Sequence, residues 1–104
     1  MEEWRQDFHL HPELGFKEIR TSSRVENRLK DFGIKVYRGY GGTGLVGILE
    51  NGTSKRSIGL RADMDALPIN ETGQCKYSSL NNGVMHACGH DGHTSILLGA
   101  AKYL

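Results

Sequence analysis

The sequence has little of what several specialised protein classes require. Its two cysteines, Cys75 and Cys88, are too few for a disulfide scaffold. No apolar run approaches the length of a membrane span, and no charged-then-apolar leader opens the chain, so neither a membrane partner nor secretion is expected. The 13 basic and 12 acidic residues give a formal net charge of +1, without a basic patch for nucleic acid. Together these features predict a reduced, cytoplasmic setting.

The 104 residues suffice for one small domain, and their pattern predicts an α/β fold. Apolar residues between positions 18 and 32 recur every three or four residues, which is typical of an amphipathic helix. Shorter β-rich runs separated by turn residues follow. We predict helices at 4–14 and 18–32, strands at 34–38, 43–49 and 57–62, an irregular stretch at 63–90, and a last helix from about 91.

The predicted last helix is apolar nearly all round, from Ile96 to Leu104, and no stop signal follows it. A helix with so little polar face is expected to be buried on several sides. We therefore expect the chain to be truncated within this helix, with much of its protein missing.

The most informative segment is 85–94, Met-His-Ala-Cys-Gly-His-Asp-Gly-His-Thr. His86, Cys88, His90, Asp91 and His93 all carry groups that can bind a divalent cation, so the segment predicts a site for one metal or two adjacent metals. One alternative is a helix cap with incidental histidines. Another is a thiol nucleophile with its base, although catalytic Cys and His usually come from separate parts of a chain.

A second candidate site follows the predicted strand 57–62, where Asp63 and Asp65 occur in Arg-Ala-Asp-Met-Asp-Ala-Leu-Pro. Carboxylates at the carboxyl end of a central strand are where open α/β sheets place their sites. The alternative is a turn in which both side chains bond nearby amides. Beside a metal motif, we favour a ligand or a residue that supports one.

Two other motifs point less clearly to a site. Gly42–Gly47 matches a dinucleotide-binding fingerprint, but it leads into a predicted strand where that fingerprint requires a helix. His9 and His11 form a His-x-His pair, yet residues two apart on a helix diverge, so a structural role is at least as reasonable.

Four ordered motifs carry a family resemblance: His-Pro-Glu-Leu-Gly-Phe-x-Glu at 11–18, Gly-Gly-Thr-Gly at 41–44, Leu-Arg-Ala-Asp-Met-Asp-Ala-Leu-Pro at 60–68, and the segment 85–94. They resemble the amino-terminal part of the N-acyl-amino-acid amidohydrolases. This aminoacylase-like metallopeptidase group includes hippurate hydrolases, indoleacetyl-amino-acid hydrolases and N-acetyl-diaminopimelate deacetylases. The resemblance extends over essentially the whole chain.

The resemblance implies the opening part, residues 1–104, of a mixed-sheet, dinuclear zinc-peptidase-like catalytic domain. Cys88 and His90 match family ligands of two divalent ions, manganese or zinc, and Asp65 matches a supporting aspartate. The family's general-base glutamate, its further histidine ligands and its dimerisation domain match nothing in this chain. For the intact protein the resemblance implies hydrolysis of small N-acyl amino acids by a homodimer or larger assembly.

The competing interpretation is a small non-catalytic module that binds a divalent metal by itself. A catalytic zinc site needs about three protein ligands and an open position for water, and residues 86–93 could supply three. If the chain is instead part of an enzyme, we expect these residues alone to be inactive as an amidase.

Overall fold

Three helices and one pair of strands make up the structure, a computed structural model that describes residues 1–104. In chain order they are α1 (Glu2–Leu10), α2 (Ile19–Asp31), β1 (Lys35–Tyr40), β2 (Gly44–Ile48) and α3 (His90–Tyr103). The α/β prediction is confirmed, and five of the six predicted helices and strands are observed, with ends that differ by a few residues. None of the helices combines the length and apolar character needed to cross a bilayer.

The first two helices follow from local sequence. The helix α1 ends before Pro12, because proline restricts the residue before it and has no N–H to donate. The amphipathic pattern of α2 buries Val25 and Leu29. The first turn of α2 receives its hydrogen-bond acceptor from outside the helix, since the Glu13 carboxylate accepts from the backbone N–H groups of Arg20 and Thr21 at 3.0 and 2.7 Å.

The strands β1 and β2 form an antiparallel hairpin, with Lys35 opposite Ile48 and Tyr40 opposite Gly44. Its turn contains Gly41 and Gly42 at φ values of +59° and +88°, a region that glycine adopts without the steric cost of a Cβ. The glycine-rich fingerprint therefore leads into a strand, as predicted, and opens no helix that could bind a pyrophosphate.

The predicted third strand at 57–62 is wrong for this chain, because the segment pairs with no neighbour. A strand exists only where another strand accepts its ladder of hydrogen bonds. The side chains of Ile58 and Leu60 are correspondingly exposed, at 89% and 59%. The sheet has only its two antiparallel strands, and parallel pairing is limited to a single bridge between Leu14 and Ala66.

A small core joins all three helices to the start of β1. It consists of Phe8, Val25, Leu29, Ile34 and Leu98. Partly buried side chains, among them Trp4 and Met64, pack around it. The expectation that α3 is buried on several sides is not met within these residues: one face is buried, whereas Ile96 and Tyr103 on other faces are 64% and 90% exposed.

Candidate metal centre

The metal-ligand motif lies at the point where a loop becomes α3. Gly89 precedes the helix with φ +82°, a left-handed conformation that allows the chain to reverse directly before His90. The backbone therefore turns between Cys88 and His90. The loop of the second motif lies against the same turn, where the Thr94 hydroxyl donates to the Asp63 carbonyl at 3.0 Å.

The imidazole of His90 is oriented by Asp65. Its Nδ1 lies 2.9 Å from the Asp65 carbonyl oxygen and 3.0 Å from the Asp65 carboxylate Oδ1. Both partners only accept hydrogen bonds, so Nδ1 carries the proton and Nε2 keeps its lone pair. A histidine that donates one N–H to a carboxylate or carbonyl and points its other nitrogen elsewhere has the arrangement of a metal ligand.

Two further motif side chains are open to solvent. Cys88 is exposed and is not in a disulfide, so its sulfur is free to bind a cation. His93 is also exposed, one turn along α3, and its ring centroid lies 5.6 Å from that of His90 at a tilt of 35°. These two residues and His90 are the part of the motif that a ligand can reach.

Asp91 is held by contacts of a different kind. It is only 2% exposed, and its Oδ2 accepts from Arg5 Nε at 2.9 Å and from His9 Nδ1 at 2.7 Å. Burial alone would raise the pKa of the Asp91 carboxyl, but the hydrogen bonds from His9 and the Gly92 N–H, with the nearby cationic groups, hold it below its usual range. The structure thus places Asp91 in an ion-pair network.

His86 is buried as well, at 4% exposure, and neither ring nitrogen has a hydrogen-bond partner in this chain. Burial lowers the pKa of the His86 ring, against the opposing charge of Asp91, so the neutral form is favoured. Asp63 in turn directs its carboxylate to the exposed Arg61 guanidinium at 2.5 Å. Neither His86 nor Asp63 is brought into contact with His90 by a hydrogen bond.

The donor set fits part of a divalent-metal site. A lone pair on His90 Nε2, a free thiol at Cys88 and a carboxylate behind His90 are the groups such a site uses. No group of three or more His, Cys, Asp or Glu side chains converges closely enough to hold an ion within this chain alone. The remaining ligands of such a site would have to come from other residues.

Sequence reasoning missed one buried network, formed by Arg5, His9, Glu71 and Asp91. His9 connects two carboxylates from distant parts of the chain: Asp91, 82 positions away, and Glu71, 62 positions away. The only local signal is the His9-x-His11 pair, for which a structural role is at least as reasonable as a metal pair, and it does not indicate the partners of His9. Contacts over such separations leave no periodic trace in a single sequence.

Comparison with known proteins gives a consistent result. Residues 59–104 match the model of Peptidase family M20/M25/M40. The chain is 55% identical over 103 residues to a hippurate hydrolase of Campylobacter jejuni, and 46% identical over 99 residues to an N-acyl-L-amino acid amidohydrolase of Geobacillus stearothermophilus. These alignments cover 99% and 95% of this chain, but the chain spans only 27% of the length of each relative.

A solved structure shares the fold. It is the YXEP protein of Bacillus subtilis, described as a dinuclear metal-binding peptidase of the M20 family. The two superpose with a TM-score of 0.94 at 36% sequence identity, over 99% of this chain and 29% of the other. The helices and the hairpin described above therefore have the arrangement found in that peptidase.

Proposed function

We propose that this chain belongs to peptidase family M20/M25/M40, and that the protein it forms part of hydrolyses the amide bond of N-acyl amino acids with the help of two divalent metal ions. The names of its relatives, hippurate hydrolase and N-acyl-L-amino acid amidohydrolase, support this substrate class. The description of the structural neighbour as dinuclear supports the number of ions.

The contact between His90 and Asp65 is the observation that carries the proposal. It fixes the tautomer of His90 and leaves Nε2 available as a ligand. Cys88 supplies a sulfur ligand that is exposed at the surface of the chain. Asp65 then acts as a positioning residue, because its carboxylate holds the imidazole and makes Nε2 more basic.

The role of these residues is to bind and orient. When bound, divalent ions supply Lewis acidity toward the amide carbonyl and lower the pKa of a water molecule. The proton of that water needs an acceptor, and none of the carboxylates near His90 is free for it: Asp65 is bonded to His90, Asp63 pairs with Arg61, and Asp91 pairs with Arg5. We therefore place the general base outside residues 1–104, as the family resemblance implies.

A consequence is that residues 1–104 alone lack amidase activity, for want of a proton acceptor and of further metal ligands. A cytoplasmic location, a homodimeric or larger assembly and the choice between manganese and zinc remain predictions from the sequence. The second candidate function is a non-catalytic metal-binding module, which the exposed thiol of Cys88 beside His90 would also allow.

The test compares two proteins: the full-length protein and a chain of residues 1–104. Each is stripped with a chelator, reloaded with Mn²⁺ or Zn²⁺, and assayed with N-acetyl- and N-benzoyl-amino acids, while bound metal is counted by elemental analysis. We expect the full-length protein to lose turnover on chelation and regain it on reloading, and the short chain to show none.

Two outcomes would contradict the proposal. Metal-dependent turnover by residues 1–104 would show that no outside base is needed. Tight metal binding by both proteins without turnover on any N-acyl amino acid would favour the non-catalytic module.

A further inference from the structure

We propose that His9 is a positioning residue for the metal-binding loop: through Asp91 it holds the first turn of α3 so that His90 presents Nε2 in a fixed direction. The inference rests on the proposed function, because the consequence that matters is the affinity for a divalent ion. It assigns a role to a buried histidine on α1 that provides no ligand itself.

The contacts of His9 define that role. Its ring is 4% exposed, with Nδ1 2.7 Å from Asp91 Oδ2 and Nε2 3.2 Å from Glu71 Oε1. Ionised carboxylates only accept hydrogen bonds, so both ring nitrogens carry protons and His9 is a cation between two anions. Arg5 Nη2 also lies 3.4 Å from Nδ1, but the shorter contact to Asp91 uses that proton, so the two cationic groups meet without a hydrogen bond.

Charge balance explains why so polar a cluster can be buried. Two cations, Arg5 and His9, face two anions, Asp91 and Glu71. The Arg5 guanidinium also lies 4.8 Å from the centre of the Tyr77 ring, which meets the His9 ring edge-on at 5.8 Å. A buried pair of this kind is weak evidence for stability, but removal of one partner leaves an unpaired buried charge.

Glu71 extends the network into the loop that precedes the motif. Its second oxygen, Oε2, accepts the backbone N–H of Ser79 at 2.6 Å. That hydrogen bond, together with the hydrogen bond and charge of His9, holds the pKa of the Glu71 carboxyl below its usual range, although partial desolvation by itself would raise it. His9 thereby connects α1, the loop at 71–79 and the start of α3.

The positioning effect comes from two adjacent residues whose side chains are bonded to different parts of the chain. His90 is fixed by Asp65, and Asp91, the next residue, is fixed by His9 and Arg5. Contacts at two neighbouring side chains, made to different parts of the chain, restrain the helical turn against both rotation about its axis and translation along it. If His9 is lost, Asp91 keeps the neighbouring Gly92 N–H and, from outside its own helix, only Arg5, whose side chain is 36% exposed and flexible.

The variant that tests this is His9→Gln in the full-length protein. Glutamine has nearly the same reach but no charge, and its two N–H donors are on one nitrogen, which cannot occupy the positions of both ring nitrogens. We expect the affinity for Mn²⁺ to fall about 10-fold, the lower end of the range for groups bonded directly to a ligand, because His9 acts through the residue next to His90. The matched control is His11→Gln, since His11 lies at the end of the same helix and its Nδ1 contacts only Asp7.

The experiment has two readouts. Mn²⁺ affinity is measured by competition with a chelator, and hydrogen exchange of residues 86–95 is measured on metal-free protein. Both are repeated with His9→Gln introduced into the Asp91→Asn variant. We expect faster exchange at the start of α3 in His9→Gln but not in His11→Gln. Because His9 acts through Asp91, the double variant with both His9→Gln and Asp91→Asn should bind Mn²⁺ less than about twofold more weakly than Asp91→Asn alone.

The outcomes separate the two proposals. Wild-type protein that binds no divalent ion would defeat the proposed function, and with it the role of His9 in metal affinity. Wild-type protein that binds Mn²⁺ with an affinity unchanged in His9→Gln would defeat the positioning role alone, as would full additivity with Asp91→Asn. If His9→Gln does not fold, Asp91→Asn alone removes the carboxylate through which His9 acts, and unchanged Mn²⁺ affinity there would overturn the inference.

Discussion

The first turn of α3 has two sides that differ in how their polar groups are used. On one side, Asp91 is 2% exposed and its carboxylate is bonded to Arg5 and His9. On the other, His90 uses only Nδ1 within the chain, and Cys88 and His93 are exposed. Two residues adjacent in sequence thus belong to different environments: a paired interior network and an open set of donors.

This difference assigns roles that residue type alone does not. Histidine, cysteine and aspartate are all metal ligands in proteins, but a carboxylate already bonded to an arginine and a histidine would have to give up both before it could bind a cation. An imidazole with one nitrogen hydrogen-bonded and the other unpaired can bind a cation without breaking any contact. The open side is therefore the one we expect to bind metal, and the paired side the one we expect to hold the helix in place.

The largest effect should come from removal of the open donors. Cys88→Ala or His90→Ala in the full-length protein should abolish amidase activity and weaken metal binding by more than the roughly 100-fold typical of orienting residues. Metal content by elemental analysis and turnover on N-acyl amino acids provide the measurements. Cys75→Ala is the control, because Cys75 is the other free, exposed cysteine. Wild-type metal content in either ligand variant would remove that residue from the site.

A smaller effect is expected at the residue that supports the open side. Asp65→Asn should retain the metal but slow turnover about 10-fold, since a neutral amide can still contact His90 while making it less basic. Steady-state kcat and metal content, measured together, distinguish loss of chemistry from loss of the ion. Asp63→Asn should change less, because Asp63 contacts the turn through its backbone carbonyl. Kinetics of Asp65→Asn identical to wild type would reduce Asp65 to a turn residue.

The smallest effect is expected at an ion-pair cluster around Asp7, which shares no hydrogen bond or ion pair with either side. Asp7 is 35% exposed, and its partners Arg20, Arg24 and His11 lie on α2 or at the end of α1. Partial burial alone would raise the pKa of the Asp7 carboxyl, but the hydrogen bond and charge of Arg20, with Arg24, hold it below its usual value of 3.8.

The sign of the pH effect follows from that direction. Because the folded-state pKa of Asp7 is the lower one, its ionised form stabilises the fold above about pH 4, and this is lost as the pH falls through the folded-state pKa. Asp7→Asn should cost about 0.5 kcal/mol at pH 7 and nearly nothing well below the folded-state pKa, as measured by chemical denaturation. A difference from wild type that stays constant with pH would mean that packing, and not charge, is responsible. Metal affinity should not change.

Much of the local structure could be predicted because it depends on near neighbours. The period of Val25 and Leu29 forms α2, and Pro12 lies just past the end of α1. The strand at 57–62 could not be predicted correctly from its own β-rich pattern, since a strand also needs a partner and these residues have none in this chain. The same limit applies to the burial of α3, which depends on what packs against it.

For the site, the sequence by itself determined which residues carry groups that can bind a metal: His86, Cys88, His90, Asp91 and His93 within one dense motif, and Asp63 and Asp65 in a second. Only the tertiary structure decided which of these groups have partners within the chain, because it joins Asp65 to His90 across 25 positions and His9 to Asp91 across 82. The type of a side chain sets which bonds it can make, whereas its partners and its burial, which depend on distant parts of the chain, set which of those bonds remain free.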